Sequence, residues 1–142
     1  MVKKQQSLTE SELLRMPKKD YMDKKQLAFF AERLLALREE AKNDIEKARE
    51  ELISKDQSSD DCDIAFDNET HFMETKIIER KSKLIIKINE ALSRINHGTY
   101  GYCVETGEPI GLQRLLLRPT ATLSIESKQL QEEVERIYWD EE

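Results

Sequence analysis

The sequence predicts a mainly α protein: a long antiparallel coiled-coil hairpin, a small turn-rich globular unit and a C-terminal helix. Three observations carry this. Charged residues make up 37% of the 142 residues and apolar residues 38%, with only four Gly and three Pro. That composition suits long helices better than a compact sheet. Two long stretches repeat apolar residues at spacings of three and four, which places each set on one stripe of a helix. All four glycines and two of the three prolines fall between His97 and Pro119, so turn chemistry is concentrated in one short segment.

Residues 1–21 read as an N-terminal arm. Leu8, Leu13, Leu14 and Met16 form a short apolar set before Pro17. Thr9-Glu10-Ser11-Glu12 can start a short helix, which Pro17 ends or bends. A partly ordered arm and a docked helix both fit this stretch.

Residues 22–96 read as the hairpin. In its first arm Leu27, Phe30, Leu34, Leu37, Ala41, Ile45, Ala48 and Leu52 make one stripe, with Asp23 as an acidic residue at the helix start. Lys55-Asp56-Gln57-Ser58-Ser59-Asp60-Asp61 breaks the pattern with turn and capping residues and no apolar member. A second helix should begin near Ser59 or Asp60, whose side-chain oxygens can accept from free backbone N–H groups. Its stripe is Phe66, Met73, Ile77, Leu84, Ile88, Ala91 or Leu92, and Ile95. Each arm should be about 45–50 Å long at ~1.5 Å per residue. The tip, at about 56–65, would then project into solvent or into a partner. The Ser-Ser-Asp-Asp loop between matched stripes favours pairing within one chain, so a monomer is expected.

Residues 97–142 read as the small unit and the last helix. Thr122 or Ser124 can cap a helix over Ile125 to about Trp139, with Ile125, Leu130, Val134, Ile137 and Tyr138 as its apolar positions.

The composition also excludes functions. A net charge of -6 and pI near 5.2 argue against a duplex-DNA binder, which needs a basic surface to neutralise phosphates. Two cysteines, Cys62 and Cys103, cannot make a disulfide framework. The N-terminus has no apolar core of a signal peptide, and no window approaches the roughly 18 apolar residues of a membrane span. A soluble, cytoplasmic chain is expected.

The stretch GTYGYC at 98–103, then GEPIG at 107–111, then RLLLRPTATL at 114–123, resembles the TraR/DksA family of bacterial transcription regulators. The resemblance covers most of the chain and is most specific in the small unit. The family pattern is a zinc finger of two C-x-x-C pairs, and the matching positions here are Cys103, Thr106, Ser124 and Ser127. Structural zinc takes four ligands, mostly Cys or His. One thiol remains, Cys62 lies at the hairpin tip, and His97 would bring the count only to two, so zinc is expected to be absent. Ile110, Leu112, Leu115, Leu116, Leu117, Leu123 and Ile125 are then expected to hold the unit as an apolar cluster. Thr106, Ser124 and Ser127 would hydrogen-bond where sulfurs would have pointed.

The resemblance also implies functional residues. Asp60, Asp63 and Ala65 match the tip positions that act inside RNA polymerase, reached through its secondary channel. Capping by acids in a first helical turn is the alternative reading of the same aspartates. Lys87, Arg114, Arg118 and Lys128 match positions that bind the alarmone ppGpp, although chance basic positions are common among 23 Lys and Arg. Arg80 would contact polymerase or stay a solvated helix position. The implied function is a non-enzymatic regulator that binds RNA polymerase, not DNA or membrane. It modulates initiation together with ppGpp and holds no tightly bound cofactor. A transcript-cleavage factor, using paired carboxylates on Mg²⁺, and a structural coiled-coil adaptor are the alternatives.

Overall fold

The computed structural model describes residues 8–55 and 61–140, with side-chain surroundings for 8–54 and 68–139. Its helices are α1 (Glu10–Arg15), α2 (Lys24–Lys55), α3 (Asp61–His97), α4 (Leu112–Leu117) and α5 (Ile125–Asp140), with a 3-10 turn at Lys18–Asp20. Two long helices of 32 and 37 residues are about 48 and 55 Å long at ~1.5 Å per residue. Among the described residues the nearest approach to a strand is the isolated bridge between Tyr102 and Pro109. The chain divides into two compact units: Leu34–Glu90, and Met1–Arg33 with Ala91–Glu142.

In the unit Leu34–Glu90, α2 and α3 run antiparallel. Arg38 Nη1 donates to Asn89 Oδ1 at 2.9 Å, and Lys81 Nζ meets Asp44 Oδ2 at 3.1 Å. Moving forward along α2 therefore moves backward along α3. Leu34, Ala41, Ile45 and Ala48 are buried on α2 and Ile88 on α3, as the first stripe predicts. The outer part of the second stripe is corrected by one position. Met73 and Ile77 are 60% and 37% exposed, whereas Ile78 and Ile85 are half-buried. Heptad steps back from Ile88 pass through Ile85, Lys81 and Ile78. The doublets Ile77-Ile78 and Ile85-Ile86 let the sequence fit either register, and the facing helix selects one.

In the other unit, α1 is docked. Thr9 and Glu12 form a reciprocal capping box. Leu13 is fully buried, Arg33 pairs with Glu10 at 2.6 Å, and α1 packs on α4. Asp23 caps α2 through Gln26 N–H at 2.9 Å. The junction before it is a sharp reversal in which Met22 takes φ 54. Gln26, fully buried, closes that turn by accepting from the Met22 N–H at 2.9 Å.

At the far end α3 stops in a Schellman motif. Gly98 N–H donates to Ile95 O and Thr99 N–H to Arg94 O, with Gly98 at φ 76. The next residues fold into a knuckle. Cys103 N–H donates to Glu108 O, Gly107 N–H to Cys103 O and Ile110 N–H to Gly101 O, each at 2.8 Å, and Val104 N–H reaches Thr122 O at 2.9 Å. Ser124 caps α5, accepting from Ser127 N–H at 3.2 Å through its hydroxyl and from Lys128 N–H at 2.9 Å through its carbonyl.

Candidate functional site

The knuckle carries the chemistry that the finger positions were expected to supply. Cys103 is 3% exposed, and its Sγ donates to Ser127 Oγ at 3.4 Å. Ser124 Oγ donates to Ser127 Oγ at 3.1 Å. Thr106 Oγ1 accepts from Glu108 N–H at 3.3 Å. Burial pushes the Cys103 thiol up, but hydrogen bonds with the Ser127 and Thr106 side chains and with the backbone at Ser124 and Thr106 outweigh it and bring the thiol down to about 6. All four positions thus converge as one thiol and three hydroxyls. That donor set does not fit structural zinc, which takes thiolates and imidazoles in a tetrahedron. Among the described residues no group of three or more His, Cys, Asp or Glu is arranged to hold a metal.

The apolar cluster expected around this knuckle is smaller than predicted. Leu115 and Ile110 are buried, and Leu112, Leu116 and Leu123 are half-buried. Leu117 is 85% exposed and Ile125 is half exposed, so neither belongs to it. Both stand at helix ends, where a one-residue change of phase turns a side chain outward.

Residues not singled out by the sequence do much of the holding. Tyr21 OH donates to Gly101 O at 2.6 Å and accepts from Gly111 N–H at 3.0 Å, clamping both ends of the knuckle to the N-terminal arm. Burial raises the pKa of Tyr21, and its ring stands edge-on to Tyr102. Tyr100, fully buried against Phe30, donates to Pro119 O at 2.7 Å. Burial pushes its hydroxyl far above the usual range. The contacts of Tyr21 join residues 80 and 90 positions apart, and no local pattern announces such pairs.

The tip is seen in backbone only. Asp60 lies outside the described residues. Asp63 and Ala65 fall at the start of α3, and their side chains also lie outside what is described. Arg80 is an exposed position on α3. Of the basic residues, Lys87 is exposed in the hairpin unit, whereas Arg114, Arg118 and Lys128 belong to the other. Arg118 is exposed and Lys128 half-buried. Arg114 spends its Nε–H on Leu123 O at 3.0 Å.

A paired helical hairpin followed in the chain by a knuckle of degenerate finger positions defines a class of protein, and comparison with known proteins agrees. Residues 26–95 match the N-terminal domain family of DnaK suppressor protein DksA, and residues 98–133 match the prokaryotic dksA/traR C4-type zinc finger. The chain is 40% identical over 122 residues to the RNA polymerase-binding transcription factor DksA of Caulobacter vibrioides, covering 85% of this chain and 86% of that one. It is 34% identical over 119 residues to the protein of the same name from Escherichia coli, covering 82% and 78%. The solved structure of transcription factor DksA2 from Pseudomonas aeruginosa superposes with a TM-score of 0.83 at 49% identity, covering 90% of this chain and 99% of that one. The chain belongs to the DksA family.

Proposed function

We propose that this chain is a transcription factor that binds RNA polymerase, enters its secondary channel with the end of the hairpin, and modulates initiation together with ppGpp. The observation that carries the reading is the long antiparallel α2–α3 pair, joined by a segment whose sequence is rich in aspartate, in a chain whose DksA relatives are named RNA polymerase-binding transcription factors. The acidic net charge of -6 supports recruitment through protein contacts rather than through DNA phosphates. In this reading Asp60, Asp63 and Ala65 act on the polymerase, and Arg80 contacts it. Lys87, Arg118 and Lys128, with the terminal nitrogens of Arg114, take the phosphates of ppGpp, for which an Arg fork and a Lys point charge are suited. The protein contributes contacts rather than catalysis and holds its finger without zinc.

Capture of purified RNA polymerase by the tagged chain tests the partner. Asp63→Asn in a reconstituted initiation assay tests the tip: capture should persist while the effect on transcription is lost. Normal regulation by Asp63→Asn would remove the tip from the mechanism. Stimulated cleavage of backtracked transcripts would replace it with a cleavage role.

A further inference from the structure

The unit containing both chain ends holds a cavity of about 610 Å³, within the ~300–1,000 Å³ of small-molecule sites. The N-terminal arm forms one wall with Leu14 and Met16, and the segment from Pro109 to Arg114 forms the other. Its surface is mainly apolar, and Leu14 and Ile125 leave apolar atoms half exposed there.

Two polar features stand against this apolar lining. The first is Gln26, fully buried and lining the cavity. Its Oε1 must face the Met22 N–H that donates to it, which fixes the amide and turns Nε2 the other way. Among the described residues Nε2 finds only Met16 Sδ at 3.6 Å, and a thioether is a weak acceptor. A buried donor without a good acceptor is costly to leave so. The second is charge. Lys18 and Arg114 line the cavity and, among the described residues, no Asp or Glu does, although acids outnumber bases in the chain. The Arg114 bond to Leu123 O anchors the guanidinium at its Nε and leaves the terminal nitrogens for another acceptor.

From these we infer that the cavity is a binding site for a small amphipathic anion, a medium-chain carboxylate in its simplest form. The apolar body lies along Leu14 and Ile110, and the carboxylate meets Lys18 and Arg114. An apolar pocket with a few convergent polar groups is the usual construction of such a site, and charge-assisted bonds supply its preference for acids. The inference does not rest on polymerase binding; because Arg114 is shared with the proposed ppGpp contacts, the two anions would compete for its terminal nitrogens.

The probe is sodium octanoate, titrated at millimolar concentration into the labelled full chain and followed by NMR. The expected result is saturable shifts of the Gln26 side-chain amide and the Leu14 and Ile110 methyls. Octanol should bind at least about tenfold more weakly than octanoate. Lys18→Gln, at an exposed position that cannot unfold the unit, should weaken octanoate by a similar factor, as should Arg114→Gln. Leu130→Ala, on exposed α5, should leave affinity unchanged. Equal binding of octanol and octanoate, shifts confined to Leu130, Val134 and Tyr138, or no saturation overturns the assignment. Loss of polymerase capture in Lys18→Gln without octanoate binding overturns it in favour of a protein contact.

Discussion

Replacing Gly101 by Ala tests how the knuckle is seated, because two separate costs meet at that residue. Its φ is +88, where an L residue pays about 1–2 kcal/mol. A Cβ there would also stand 2.7 Å from Met22 Sδ and 2.8 Å from Met22 Cγ, well inside the ~3.5–4.0 Å of favourable contact. Met22 is itself buried and held in a positive-φ turn, so it yields little, and overpacking of this kind costs about 1–3 kcal/mol. The expected loss is about 2–5 kcal/mol. Gly98 supplies the control: its φ is +76 but a Cβ would meet nothing within 4 Å, so Gly98→Ala should cost only about 1–2 kcal/mol. In a Met22→Ala background the clash disappears, and Gly101→Ala should fall to about the Gly98 value, leaving a coupling of about 1–3 kcal/mol. Urea unfolding of the single and double variants, followed by far-UV circular dichroism, measures all of these. Equal losses at the two glycines, or additive losses in the double variant, would refute the argument that Met22 and Gly101 fit each other.

Tyr100→Phe keeps the ring on Phe30 but strips the buried Pro119 carbonyl of its donor, so it should destabilise by about 1–3 kcal/mol in the same urea assay; a change near zero would mean that the carbonyl finds another donor. Cys103 should make stability pH-dependent. Its folded pKa, near 6, lies below the ordinary value of 9.0, so the unfolded chain binds more protons between the two. The stability it contributes is full above about pH 9 and is lost as pH falls through about 6. The difference between the parent chain and Cys103→Ser should therefore grow with pH across that window, and a flat difference would contradict a hydrogen-bonded thiolate. Arg38 sits on the seam between Leu34 and Ala41 with its Nε buried and without a partner among the described residues. Relieving that cost of about 1–3 kcal/mol outweighs the single bond to Asn89, so Arg38→Leu should raise the melting temperature. A lower melting temperature would show that the Asn89 bond dominates.

Much of the architecture was legible because it is local. The stripe from Phe30 to Ala48, the Thr9–Glu12 capping box, the Ser124 cap and the end of α3 near Gly98 all follow from residues within a turn or two of one another. The four finger positions were legible only through the family resemblance, and the hydroxyls do join the thiol in one hydrogen-bonded cluster. Helical period alone could not choose between Ile77 and Ile78, because both phases offer an apolar stripe. The choice belongs to the facing helix, through pairs such as Lys81 with Asp44. The seating of the knuckle on Tyr21, Met22 and Gln26 was likewise hidden. Those residues carry no motif, and their partners at Gly101 and Gly111 are brought near only by folding. The sequence by itself determined the helices, their caps and the chemistry available at the finger positions, since these depend on short-range geometry. Tertiary structure alone decided the register of the hairpin, the clamp on the knuckle and the cavity beside it, since each depends on which distant surfaces exclude water together.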